Sequence, residues 1–163
     1  MKPIITIAKR ELSSYFDSLI AIIMIVLFLG FSGFFTWISG SDIFLISQAT
    51  LRPFFGIAYW TLFFFIPALT MRSFAEENRS GTIEMLLTKP VSDRQVILGK
   101  YLATIILIAV ALALTLPYVI TISKIGNLDA GGTLCGYLAL LLISASYASI
   151  GIFTSSITTN QIV

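Results

Sequence analysis

The sequence predicts an all-α protein, a polytopic bundle of transmembrane helices, on three observations. Of its 163 residues, 57% are hydrophobic and only 11% charged, against roughly a quarter charged in ordinary soluble domains. Four stretches, 18–38, 54–71, 101–123 and 134–153, contain no charged residue. Each is close to the ~20 residues that a helix rising about 1.5 Å per residue needs to cross a hydrocarbon layer. Eight of the ten Lys and Arg fall in the segments 1–17 and 72–100, and positive charge holds such segments on the cytoplasmic side. The expected topology therefore has a cytoplasmic N-terminus.

In segment 1–17, Ile4, Ala8, Leu12, Tyr15 and Phe16 recur at helical spacing, while Lys9, Arg10, Ser13 and Ser14 take the other side. That division suits a helix lying in the membrane interface. The first span, 18–38, has an apolar core longer than a signal peptide's and is read as retained. Trp37 ends it, and Tyr59 and Trp60 stand early in the second span, 54–71, where interfacial aromatics on the outer face belong. Pro67 interrupts the second span and Pro117 the third, 101–123. The fourth, 134–153, carries Ser144 and Ala148 in small-xxx-small register with Gly151 beyond. Small residues of this kind let another helix approach closely.

The loop 72–100 is the one dense block of charge. Gly81 supplies a turn, after which Thr82 to Lys89 suits a short helix with Ile83, Leu86 and Leu87 on one side and Glu84 elsewhere. Pro90 ends it, and Ser92 with Gln95 matches the S-x-x-Q capping box at the start of the third spanning helix. Leaving each of those apolar side chains in water forgoes about 1.5 to 3 kcal/mol relative to burial. The flanking Glu76, Glu77 and Glu84 disfavour an anionic bilayer surface, so a protein surface is the expected partner.

Several function classes are disfavoured. The chain has no His and a single Cys, Cys135, which removes the commonest general base and any internal disulfide. No span carries the intramembrane carboxylate usual in ion-coupled carriers. The sole Gly-Lys pair, Gly99-Lys100, is followed by Tyr101 and lacks the upstream Gly of a phosphate loop, so the chain is not expected to bind ATP. Ten basic against eight acidic residues form no concentrated basic face, and nucleic acid is not an expected partner.

The stretch EENRSGTIEMLLTKPVSDRQVILGKYLA, 76–103, resembles the signature of ABC type-2 transporter permeases, especially the branch associated with gliding motility. AKRELSSYFDSLIA near the N-terminus and SSITTNQIV at the end fit the same branch. The resemblance implies a permease domain covering 1–163, in which the segment after the second span is a coupling helix that docks in a groove of a separate ATP-binding cassette subunit. Glu76 and Glu77 would then lie where the second span meets the loop, Gly81 and Thr82 at the turn, Ile83, Glu84, Leu86 and Leu87 on the docking helix, and Pro90 at its end. ATP and Mg would be bound by the partner ATPase, with no cofactor on this chain. A second permease copy or a homologous permease, and membrane lipid, would complete the surroundings. The implied location is the bacterial inner membrane and the implied direction outward. Family members usually have six spans, so with four the chain is expected to be C-terminally shortened.

Two rivals stand beside this reading. One is a membrane scaffold or assembly factor that recruits a cytoplasmic protein through 72–100. The other is an intramembrane enzyme using Ser144, Ser146 or Cys135, although none has a His, Lys or carboxylate base within its span.

Overall fold

The computed structural model describes residues 2–38, 50–79 and 92–157, and among them every regular element is a helix. The helices are α1 (Lys2–Asp17), α2 (Ile20–Trp37), α3 (Arg52–Arg79), α4 (Asp93–Ala113), α5 (Leu116–Ile125) and α6 (Ala130–Ile157). Four stretches are long and apolar enough to cross a membrane: Ile20–Trp37, Arg52–Met71, Asp93–Ile125 and Ala130–Ile157. The chain is thus a multi-pass helical membrane protein. Its spans run up and down, so that α2 is parallel to α4 and α3 is parallel to α6.

Two helices carry charged residues beyond the uncharged runs. At about 1.5 Å per residue, the 28 residues of α3 measure about 42 Å, against a hydrocarbon core of about 30 Å. Helix α4 begins at Asp93, eight residues ahead of the uncharged run that starts at 101. Charged residues therefore continue both helices beyond the apolar layer.

The third span is broken rather than continuous. Pro117 lies in the first turn of α5, where it withholds the amide that would have bonded to Ala113 and where its ring crowds that carbonyl. The chain turns at Leu114 and Thr115. Thr115 stands at the break: its amide and its Oγ1 both donate to the Leu112 carbonyl, at 3.0 and 2.6 Å, and Oγ1 lies 2.9 Å from the Tyr137 hydroxyl of α6.

Packing is closest between α3 and α6. The buried face of α6 is Leu140, Ser144, Ala148, Gly151, Ile152 and Ser155, so the small residues do form a helix contact. A Cβ at Gly151 would collide with Thr70 Oγ1, and one turn on, Ser155 Oγ donates across to the Met71 carbonyl at 2.9 Å. At the other end, Phe54 and Phe55 of α3 meet Tyr137 of α6, while Trp37 of α2 and Phe54 both contact Tyr118 of α5 edge-on. Tyr118 also donates to the Leu29 carbonyl of α2 at 3.3 Å. This aromatic cluster ties the ends of all four spans together. The outward faces, including Ile22, Val26, Phe64 and Leu142, are exposed and apolar, as lipid contact requires.

Because Gly151 sits against Thr70, Gly151→Leu should force α3 and α6 apart and cost about 1 to 3 kcal/mol, the usual range for overpacking. Thermal unfolding in detergent should show a lower Tm for this variant, while Ser149→Ala, on the exposed side, should change little. An unaltered Tm for Gly151→Leu would refute the close contact.

Candidate functional site

The charged ends of α3 and α4 and the whole of α1 collect at one end of the bundle. Glu76 and Glu77 lie in the last turns of α3. Gly81, Thr82, Ile83, Glu84, Leu86, Leu87 and Pro90 lie outside the described residues. The chain re-enters the described structure at Ser92, which is extended (φ −77°, ψ 148°) and begins α4. Its amide donates to Gln95 Oε1 at 3.3 Å, and the Gln95 amide closes on the Ser92 carbonyl at 2.8 Å. The capping box read from Ser92 and Gln95 is therefore formed, and Asp93 in the first turn opposes the positive helix end.

Helix α1 packs along the beginning of α4. The reason lies at Gly99: a Cβ there would come within 2.6 Å of Ile7 Cγ2 and 3.3 Å of the Ile4 carbonyl, so only glycine permits this approach. Around the crossing, Ala8 and Tyr15 of α1 are buried with Ala21 of α2, Leu69 of α3, and Ala103 and Leu107 of α4. One residue past Gly99, Lys100 is 1% exposed, and its Nζ lies 3.2 Å from Glu11 Oε1. Removing one member of a buried pair leaves the other charge stranded, at a cost of about 3 to 5 kcal/mol.

Sequence reasoning missed this pair. Lys100 counts as one more loop cation when the span is drawn from 101, and Glu11 was assigned to neither face of α1. A signal was nonetheless available: Glu11 stands three residues after Ala8 and four before Tyr15, on the face that is buried. Two residues taken for the apolar face sit differently. Phe16 is exposed, and Leu12 only flanks the buried cluster. The apolar side of α1 is divided between the bundle and the surroundings.

The joint between α1 and α2 is tight. Ser18 N donates to the Ser14 carbonyl at 3.0 Å, Leu19 N to the Phe16 carbonyl at 3.2 Å, and Ser18 Oγ to the Tyr15 carbonyl at 3.1 Å. Leu19 itself is left-handed, with φ 60°, a conformation that usually falls to glycine at the end of a helix.

The nucleophile candidates are poorly equipped for chemistry. Ser146 Oγ donates to the Leu142 carbonyl of its own helix at 3.1 Å, Ser144 Oγ is buried with no hydrogen-bond partner among the described residues, and Cys135 is exposed. No group of His, Cys, Asp and Glu that could hold a metal ion occurs among the described residues. What the arrangement can do is mechanical: it holds α1 closely against α4 at the end of the bundle where 80–91 attaches.

A left-handed leucine costs about 1 to 2 kcal/mol, and Leu19 is 61% exposed, so little packing is lost with its side chain. Leu19→Gly should therefore keep or slightly raise the unfolding midpoint, whereas the β-branched Leu19→Ile should lower it by about 1 kcal/mol or more. Equal destabilisation by both variants in a chemical denaturation series would count against the left-handed joint.

Comparison with known families gives one match: the family described as ABC-2 family transporter protein matches residues 44–163. The match takes in α3 to α6 and the 80–91 segment, and leaves out α1 and α2. Neither a curated protein nor a solved structure matches the chain.

Proposed function

The chain belongs to the ABC-2 transporter family, and from that membership we propose that it is the membrane-spanning permease subunit of an ATP-driven exporter, coupled to a separate ATPase subunit through residues 80–90. The observation that carries the proposal is the family match across 44–163, which includes that segment. Two features of the surrounding structure support it. Helix α3 and helix α4 both continue beyond the apolar layer as ordered rods, and α4 starts at a formed capping box. A short apolar helix held between two such rods is suited to pass on a push.

On this reading Ile83, Leu86 and Leu87 fill a groove on the ATPase, Glu76, Glu77 and Glu84 flank it, and Gly81, Thr82 and Pro90 set the limits of the docking helix. ATP and Mg belong to the partner subunit. Closure of the ATPase pair favours one arrangement of the permease helices, and the docking helix carries that preference into α3 and α4. A second permease completes the pathway, the N-terminus and the 72–100 segment are cytoplasmic, and the location is the inner membrane of a bacterium. The likeness of 76–103 to the branch associated with gliding motility extends the proposal to that branch. Helix α1, with Lys9, Arg10, Ser13 and Ser14 exposed on one side, lies in the membrane interface as an elbow.

The coupling proposal is tested by affinity purification from detergent-solubilised membranes. The unaltered chain should bring down a P-loop ATPase. Leu86→Asp with Leu87→Asp should weaken that association by about a hundredfold or more, since burying each leucine contributes about 1.5 to 3 kcal/mol. Recovery of a non-ATPase partner instead would favour the scaffold reading, and an undiminished yield from the double variant would remove the docking role of the two leucines.

Topology has its own test. A reporter active only outside the cytoplasm should be active when inserted in the turn 126–129 between α5 and α6, and silent when inserted at Ser80. Cytoplasmic readout from the 126–129 insertion would reverse the orientation.

A further inference from the structure

Building on the coupling reading, the α1–α4 junction carries a role that the family match does not touch, because Glu11 lies outside the matched stretch that begins at residue 44. Two contacts of different character meet there within one residue. At Gly99 the backbones approach so closely that Ile7 and the Ile4 carbonyl leave no room for a Cβ. At Lys100 an ammonium with 1% exposure pairs with Glu11, a carboxylate with 16% exposure, at 3.2 Å.

The two contacts restrain different motions. Apolar packing of Ala8 and Tyr15 against Ala103 and Leu107 resists separation but tolerates sliding and rotation, because it has no directional requirement. A close ion pair fixes register, since sliding by a turn would leave Lys100 buried away from its carboxylate. Beyond α1 the chain turns at once through Ser18 and Leu19 into α2, so displacement of α1 pulls directly on α2. Helix α2 itself touches α4 only lightly. Helix α2 packs mainly on α3, so what the pair sets is where α1, and with it the Ser18–Leu19 joint, sits along α4.

We infer that Glu11 and Lys100 are positioning residues that bolt α1 to α4, so that displacement entering α4 through 80–91 carries α1 with it. The two helices move as one body throughout the transport cycle, with Leu19 as the joint.

The test uses the permease–ATPase complex reconstituted in lipid nanodiscs, with Cys135→Ser removing the only native thiol. Ala8→Cys with Ala103→Cys places both thiols in the buried cluster that α1 and α4 share, where a disulfide closes once the two Cβ atoms come within the ~3.8 Å it requires. Locking α1 to α4 in this way should leave permease-stimulated ATP hydrolysis within about twofold of the unlocked complex. In contrast, Lys100→Met should keep the ATPase bound yet lower the stimulation by about fivefold or more, the lower edge of ordinary coupling between sites. The reversed pair, Glu11→Lys with Lys100→Glu, should recover most of it, a rescue that loss of general stability does not produce. Should Lys100→Met fail to accumulate, Glu11→Gln carries the same expectation.

Abolition of stimulated hydrolysis by the disulfide, full stimulation in the uncharged variants, or a reversed pair no better than either single change would each overturn the inference. If no ATPase binds the unaltered chain, the coupling reading falls separately. The bolt is then judged by disulfide yield in membranes, which Lys100→Met should reduce; equal yields would overturn it.

Discussion

Inside hydrocarbon there is no water to accept a stray amide or carbonyl, so a spanning backbone must satisfy itself. That constraint governs the form of this protein more than any single contact. It keeps α3 helical straight through Pro67, and it explains why the interruption at Leu114 and Thr115 is accompanied by a local remedy. The Thr115 hydroxyl, held between the Leu112 carbonyl and Tyr137, occupies a backbone acceptor at the break. The same remedy draws α6 to the α4–α5 junction. A local requirement of the chain thus becomes a tertiary contact, and the aromatic cluster of Phe54, Tyr118 and Tyr137 gathers around it.

Satisfied helices do not attract one another through hydrophobicity in lipid, because lipid is as apolar as leucine. Association must come from shape and a few hydrogen bonds, and here both concentrate on α3 with α6. Gly151 admits Thr70, Ser155 reaches the Met71 carbonyl, and Ala148 is fully buried. On the other side of the bundle, α1 and α4 form the second tight pair through Gly99 and Lys100. Consecutive helices α3 and α4, though joined by 80–91, share only a slight contact. The connection therefore bridges two helices that touch each other little and meet instead through α6, which packs on α3 and on α4, where the Tyr101 hydroxyl donates to the Ala145 carbonyl at 3.4 Å.

Much of this was legible in the sequence, for identifiable reasons. The absence of charge over four runs of about span length follows from the cost of burying charge in lipid, so the spans were visible. The capping box at Ser92 and Gln95 is a local rule and held. The small residues of α6 announced a packing face, and Ser144, Ala148 and Gly151 are buried as expected. Helix ends were less legible, because charged residues such as those between Met71 and Arg79 end a span without ending a helix. The break before Pro117 was visible only as a proline. Least legible was Glu11 with Lys100, separated by 89 positions: each reads locally as a flanking charge, and only the approach allowed by Gly99 turns the two into a buried pair.

That pair clarifies what an apparently uncharged bundle can do. A charge in the hydrocarbon would tax insertion, and this chain places its one buried lysine among the described residues at the edge, one residue before the uncharged run begins. There the protein rather than lipid surrounds it, so directionality is gained without burying an ion at the bilayer centre. The pair adds a directional contact to the apolar ones around it, and apolar contacts specify distance rather than register. On the proposed function this placement is consequential: a push that arrives through 80–91 meets α4 where it is held in register with α1, and meets α3 where it is held to α6. The two arms converge on α6, which packs against α3 and against α4, so that a push at either end of 80–91 acts on one packed bundle.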